Sequence, residues 1–184
     1  MRNRFDQQLH HLDEQLTHMG ELCEIAISKV TQALKEGSAG QARIVVAEDE
    51  EIDQIEKDIE RLCLKLLLQQ QPVARDLRRI SAALKMITDM ERIGDQTSDI
   101  AEIIISSKWE KMEENLDKLT AMATGVSKLV RNSVTAYVEK DLELARTVMK
   151  DDDEIDDYFD EIRDQMIQLI READSRDGRK IFDL

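Results

Sequence analysis

Asp49-Glu50-Glu51-Ile52-Asp53 breaks an apolar helical stripe with carboxylates, and 103 positions later Asp152-Asp153-Glu154-Ile155-Asp156 repeats the break. Sliding the chain on itself by that offset also aligns Leu16-Thr17 with Leu119-Thr120, Met19 with Met122, and Ala42-Arg43 with Ala145-Arg146. Val45 falls on Val148, Ile59 on Ile162 and Leu66 on Leu169. These matches preserve both the stripe and its interruption, the mark of one supersecondary unit used twice. In each copy the outer aspartates are four residues apart, so a helix stacks them on one face, roughly 5–6 Å from each other.

Working outward, residues Phe5, Leu9, Leu12, Leu16, Met19, Cys23, Ala26, Val30 and Ala33 follow a 4-3-4-3 spacing that makes a continuous seam along a first helix. That helix stops near Gly37. Ser38 followed by Gln41 has the form of a capping box opening a second helix, whose stripe runs Val45, Asp49, Ile52, Glu56, Ile59, Cys63, Leu66 and ends near Gln70. Pro72 suits the first turn of a third helix, where proline needs no backbone donor. Its stripe reads Leu77, Ile80, Leu84, Ile87, Glu91, Gly94, Ser98, Ala101, Ile105, again with a carboxylate where leucine is expected.

Past Ser106-Ser107-Lys108 a fourth helix runs from about Met112 to Val138 and a fifth from about Asp141 to Glu172. Arg179-Lys180-Ile181-Phe182-Asp183-Leu184 reads as the opening of a sixth. The expected fold class is all-α: two tandem three-helix bundles, residues 1–107 and 108–184, the second lacking most of its third helix. Two long helices alone leave an apolar groove, either filled by a partner or marking a shortened chain. Trp109, at the junction of the units, reads as a packing residue between bundles.

Composition agrees with long helices. The 184 residues include only 6 Gly and 1 Pro, and 36% are charged. A net charge of −14 repels phosphate backbones and anionic headgroups, so nucleic acid is no expected partner. No window approaches the ~20 apolar residues of a membrane span. The N-terminus reaches no apolar run before the charged helix begins and reads as no signal peptide. A cytoplasmic protein is expected. Cys23 and Cys63 fall within apolar stripes and read as small buried hydrophobes.

Glu91, Asp95 and Asp99 form an i, i+4, i+8 ladder on the third helix. If the second helix packs antiparallel beside it, Asp49 and Asp53 face that ladder. Anions gathered this closely take up protons, pair with bases or bind metal. Oxygen ligands without His or Cys select hard cations, namely iron, manganese, magnesium or calcium, and bridging carboxylates suit a multinuclear cluster. A solvated acidic face is the bland alternative. Catalysis is not expected. A di-iron enzyme needs Glu-x-x-His pairs, and none of His10, His11 and His18 follows a glutamate at that spacing. His11 and His18 read as solvated. Phosphate loops and nucleophile elbows are missing too. Arg75, Arg78 and Arg79 form the one basic cluster, read as solvated arginine, with docking to an acidic partner surface as the weaker option.

The chain resembles the PhoU family of phosphate-transport regulators. The resemblance rests on Arg4-Phe5-Asp6 with Leu9 and Leu12, on Gln71-Pro72-Val73-Ala74-Arg75-Asp76-Leu77-Arg78, and on Thr88-Asp89-Met90-Glu91-Arg92-Ile93-Gly94-Asp95, in that order and within the duplicated pattern. It implies two three-helix bundles holding metal clusters through E/D-x-x-x-D motifs. The first cluster would use Asp49, Asp53, Glu91 and Asp95, with Asp99 as a further ligand; the second would begin with Asp152 and Asp156. It also implies a cytoplasmic negative regulator of phosphate uptake and starvation signalling. Such a regulator couples an ABC phosphate transporter, through its ATPase subunit, to a sensor histidine kinase. A homodimer is expected, reaching the membrane only through partners. Service to a different phosphate carrier and a metal-free helical scaffold stay open as alternatives.

Overall fold

A computed structural model describes residues 2–70, 73–107 and 116–172 of the chain. These form five helices and no strand: α1 (Arg2–Glu36), α2 (Ala39–Gln70), α3 (Ala74–Ser106), α4 (Leu116–Glu139) and α5 (Leu142–Glu172). Pro72, Trp109, the expected start of the fourth helix at Met112 and the start of a sixth helix at 179–184 lie outside the described residues.

The seam of α1 is the axis of the molecule. Phe5, Leu9, Leu12, Leu16, Met19, Cys23, Val30 and Ala33 are all buried, because α1 packs against α2, α3 and α4 at once. Cys23 and Cys63 are buried as expected, and burial pushes their thiols up to about 12 and about 11. Both stay protonated and unreactive at neutral pH. His10, His11 and His18 are exposed beside Glu14 and Glu21.

The turns repeat at the same offset of 103. Gly37 at φ 62° ends α1, and Lys140 at φ 60° ends α4, although the left-handed region costs a side-chain-bearing residue about 1 kcal/mol. Ser38 N–H donates to the Ala33 carbonyl at 3.0 Å, and Asp141 N–H to the Ala136 carbonyl at 2.9 Å. Each of those residues then caps the next helix: Gln41 N–H donates to Ser38 Oγ at 3.3 Å, and Leu144 N–H to Asp141 Oδ1 at 2.9 Å. Only half of the expected capping box forms, since the Gln41 side chain turns to Glu36 Oε2 at 2.7 Å.

α4 runs antiparallel to α1. Gly20 lies against Val134, where an added Cβ would come within 3.1 Å, and Glu24 pairs with Arg131 further along. Thr31 and Ala123, which are Val134 and Gly20 displaced by 103, line one cleft at the other end of the contact. The interface thus maps onto itself when the repeats are exchanged.

α5 packs on α4 alone among the described helices. Val148, Ile155 and Ile162 are therefore only half-buried, whereas their equivalents Val45, Ile52 and Ile59 on α2, flanked by both α1 and α3, are buried.

The α3 stripe differs from its sequence reading by a rotation. The buried set is Ile80, Ala83, Ile87, Met90, Gly94, Thr97, Ala101 and Ile104. Leu84, Glu91, Ser98 and Ile105 are half-buried at its edge, and Leu77 is exposed. Wedged between α1 and α2, the helix buries a wider arc than one seam, and the interrupting carboxylates sit at the rim of the core rather than within it.

Arg79 is not solvated as the sequence suggested. Its guanidinium pairs with Asp13 of α1, which is 9% exposed, while Tyr137 of α4 donates its hydroxyl to the Arg79 carbonyl at 2.9 Å. Burial opposes the guanidinium charge, and Asp13 more than restores it. Arg75 and Arg78 are exposed, as expected.

Candidate metal centre

The carboxylates on α2 and α3 meet because the two helices come unusually close at Gly94. A Cβ there would lie 2.8 Å from Asp49 Oδ1 and 3.1 Å from Ile52 Cδ1, so only glycine lets α2 settle at this depth. One turn further along α3, the buried Thr97 Oγ1 donates to the Gly94 carbonyl at 2.7 Å. The helical stagger does the rest: Asp49 and Asp53 stack on α2, and Glu91 and Asp95 stack on α3.

One oxygen from each of Asp53, Glu91 and Asp95 lies within 4.8 Å of the others. Two oxygens on one ion can be no further apart than twice the metal–oxygen distance, about 4–5 Å for hard cations. The spacing therefore suits a single cation with little movement. Asp53 and Glu91 are half-buried and Asp95 is exposed, which leaves one side open to water or to further ions. Among the described residues Lys57 is the cation that pairs with the group, 3.3 Å from Asp53 and itself exposed. One exposed lysine does not neutralise three carboxylates.

Asp49 adjoins the three without joining them, half-buried against Gly94 and bonded to the Ser98 hydroxyl. Burial raises its carboxyl above the ordinary range, with the charges of Asp95, Asp53 and Asp99 pushing the same way. Burial likewise raises Glu91, with Asp95, Glu56, Asp53 and Asp49 adding. Asp99 is exposed and acts here through its charge. Glu56 and Ser98 were missing from the sequence-level site. Glu56 was visible as the second break in the α2 stripe, two turns beyond Asp49, but only the tertiary packing shows that it confronts Glu91.

Both raised carboxyls hold protons to higher pH in the folded chain than in the unfolded one. The stability they contribute is complete below the unfolded carboxyl range, about pH 4, and is lost as pH rises through their folded values. In chelator, Asp49→Asn/Glu91→Gln should therefore melt above the wild type at neutral pH, with the gap closing toward pH 4. Thermal melts across a pH series check this, and a gap of constant size would mean the two groups are not strained by folding.

A PhoU domain profile matches residues 16–104 and again 119–184, two stretches whose starts are 103 residues apart. The chain belongs to the PhoU family. A PhoU homologue of Clostridium acetobutylicum, named a phosphate-specific transport system accessory protein, is 33% identical over 176 residues, covering 95% of this chain and 80% of that protein. The Aquifex aeolicus homologue of the same name is 32% identical over 165 residues, 90% of this chain and 75% of that one. Among solved structures, PhoU from Pseudomonas aeruginosa superposes with a TM-score of 0.89 at 28% identity, over 97% of this chain and 86% of that one.

On this PhoU chain the second motif looks different from the first. Asp152 and Asp156 are exposed on α5, and among the described residues no cluster of three potential ligands includes them. Their neighbour Asp151 pairs with Lys128 of α4 at 2.8 Å. The helix that would confront them, as α3 confronts α2, is not among the described elements.

The close approach at Gly94 carries its own prediction. Gly94→Ala places a methyl group against Asp49 Oδ1 and Ile52, so α2 must move outward. The expected cost is about 1–3 kcal/mol despite alanine's better helix propensity, together with weaker metal binding. Urea unfolding and a metal titration measure the two effects. An unaltered or raised midpoint would show that the contact relaxes freely.

Proposed function

We propose that this PhoU-family chain is a metal-pinned adaptor serving a phosphate transport system as an accessory regulator. The observation that carries the reading is the meeting of Asp53, Glu91 and Asp95 across the α2–α3 contact. Those three residues would hold a hard cation, iron, manganese, magnesium or calcium, with Asp49, Asp99 and Glu56 able to extend the site to a cluster. The ion supplies positive charge where three carboxylates otherwise repel, and so locks two helices that approach through a glycine. Asp152 and Asp156 form the α5 half of a second centre in the same register.

The chain's own residues then do structural work. They hold the α2–α3 face rigid for docking to the ATPase subunit of an ABC phosphate transporter and to a sensor histidine kinase. Through these contacts the chain restrains phosphate uptake and starvation signalling. Family membership and the names of the relatives support the transport role, and the family's regulatory character supports an adaptor rather than an enzyme. No helix among the described residues is long and apolar enough to cross a membrane. In the proposed reading the adaptor works from the cytoplasm as a homodimer.

The test is a strain lacking its own copy. The wild-type chain should restrain uptake of labelled phosphate when phosphate is ample and should recover the ATPase subunit and the kinase in a pull-down, and Glu91→Gln/Asp95→Asn should do neither. Recovery of another phosphate carrier in place of the ATPase would favour service to that carrier. A wild-type chain that melts identically in chelator, Mn²⁺ and Fe³⁺ would leave a metal-free scaffold.

A further inference from the structure

The two repeats meet along α1 and α4, yet one side chain of α4 bonds directly to the helix that carries half of the metal centre. Tyr137 donates its hydroxyl to the Arg79 carbonyl of α3 at 2.9 Å, although among the described residues no Cα of α3 comes within 8 Å of one in α4. Burial keeps that phenol protonated at neutral pH, and so a standing donor.

The residue that accepts this bond is held a second time, by its guanidinium. Arg79 Nη2 meets Asp13 Oδ2 of α1. Arg79 Nε, a donor, and Asp13 Oδ1, an acceptor, are buried on the same two side chains, and among the described residues neither has a partner. A guanidinium and a carboxylate have a second arrangement, the fork in which two parallel bonds form. The contact at this end of α3 therefore has slack of a defined kind, which a small displacement of α3 against α1 would take up.

Arg79 and the metal centre share one rod. α3 is helical from Ala74 to Ser106, and neither glycine nor proline lies between Arg79 and Glu91. The 12 residues that separate them span roughly 18 Å along the axis. A displacement of Glu91 and Asp95 toward α2 is thus carried to Arg79. An ion drives such a displacement, because it replaces repulsion among Asp53, Glu91 and Asp95 by attraction.

We propose that the Asp13, Arg79 and Tyr137 network transmits metal occupancy at the α2–α3 centre to the second repeat. The ion draws α3 onto α2, Arg79 completes its fork on Asp13, and the Arg79 carbonyl becomes a firmer anchor for α4. Resting on the metal-pinned reading above, the network gives that centre control over a helix that does not touch its ion. Coupling is reciprocal, so the Tyr137 contact favours ion binding by the same factor as the ion favours the contact.

Hydrogen exchange read by mass spectrometry, in Mn²⁺ and in chelator, tests the link. In the wild-type chain Mn²⁺ should slow exchange around Asp53 and Glu91 and also, at least about threefold, over residues 130–139 of α4. Tyr137→Phe keeps the ring packed against the core and removes only the hydroxyl. It should retain the slowing at the centre, lose it in α4, and bind Mn²⁺ about fivefold more weakly. Val134→Ala loosens the packing of α4 on Gly20 of α1 and leaves every member of the network in place, so its α4 should still respond to Mn²⁺. Slowing at the centre with none in α4 overturns the proposal and leaves the metal reading standing. A Tyr137→Phe chain that responds as the wild type does, or a Val134→Ala chain that does not respond, has the same consequence. A wild-type chain whose α2–α3 exchange ignores Mn²⁺ overturns both.

Discussion

Saturating Mn²⁺ should raise the melting temperature of the wild-type chain by roughly 5–10 °C, and in chelator the order should reverse, with Glu91→Gln/Asp95→Asn melting above the wild type. Both halves come from the same geometry. Without an ion, carboxylates from α2 and α3 face one another within 4.8 Å, and burial together with mutual repulsion raises Glu91 above its ordinary range. Neutral amides of the same shape remove that cost. With an ion at about a hundred times its dissociation constant, binding to the folded state alone stabilises it by about 2.7 kcal/mol. In a chain of this size that corresponds to the stated shift. Differential scanning fluorimetry with Mn²⁺, Fe³⁺, Mg²⁺ and Ca²⁺ in parallel would also rank the cations. Equal shifts in wild type and variant would place the metal elsewhere, and the absence of any crossing would reduce the group to a solvated acidic face.

Arg79→Ala should be the most damaging single substitution away from the carboxylates, costing about 3–5 kcal/mol. The side chains of Arg79 and Asp13 are 18% and 13% exposed, so removing the guanidinium strands a carboxylate between α1 and α3. The pair is not itself a strong source of stability. Among the described residues Asp13 Oδ1 and Arg79 Nε have no hydrogen-bond partner, so part of the desolvation cost is uncompensated. Asp13→Leu/Arg79→Met should accordingly recover most or all of what Arg79→Ala loses. Urea unfolding of the three variants decides it: a loss below about 1 kcal/mol in Arg79→Ala would mean the pair is solvated. The pair also touches α4 through Tyr137, whose hydroxyl burial pushes up to about 12. Loosening of the contact between the repeats should therefore accompany the loss in stability.

Much of the fold is local in origin and was legible for that reason. The α1 seam, the stop at Gly37, the Ser38 cap and the duplication depend on spacing along one chain, and helix periodicity and capping chemistry express them without reference to anything distant. The α3 stripe was misplaced for an equally physical reason. Adjacent residues point about 100° apart around a helix, and a helix with two neighbours buries an arc wide enough to contain more than one plausible seam. The reading therefore put Leu77 and Glu91 inside, where the structure has Ala83, Met90 and Thr97. The half-formed capping box at Gln41 and the pairing of Arg79 with Asp13 failed similarly. Each involves a long side chain choosing among partners that only packing brings within reach.

By itself the sequence determined that this protein is helical, that one unit is used twice, and that carboxylates interrupt two stripes at i, i+4 spacing. All three are written in a periodicity that the backbone must obey. Only the tertiary structure decided that Asp53, Glu91 and Asp95 converge within 4.8 Å, that the charges of Asp49 and Glu56 act on Glu91 beside them, and that Asp152 and Asp156 stay exposed. Those facts depend on how far α2 sinks onto Gly94 and on which neighbours each helix has, quantities fixed by the rotation and depth of one helix against another.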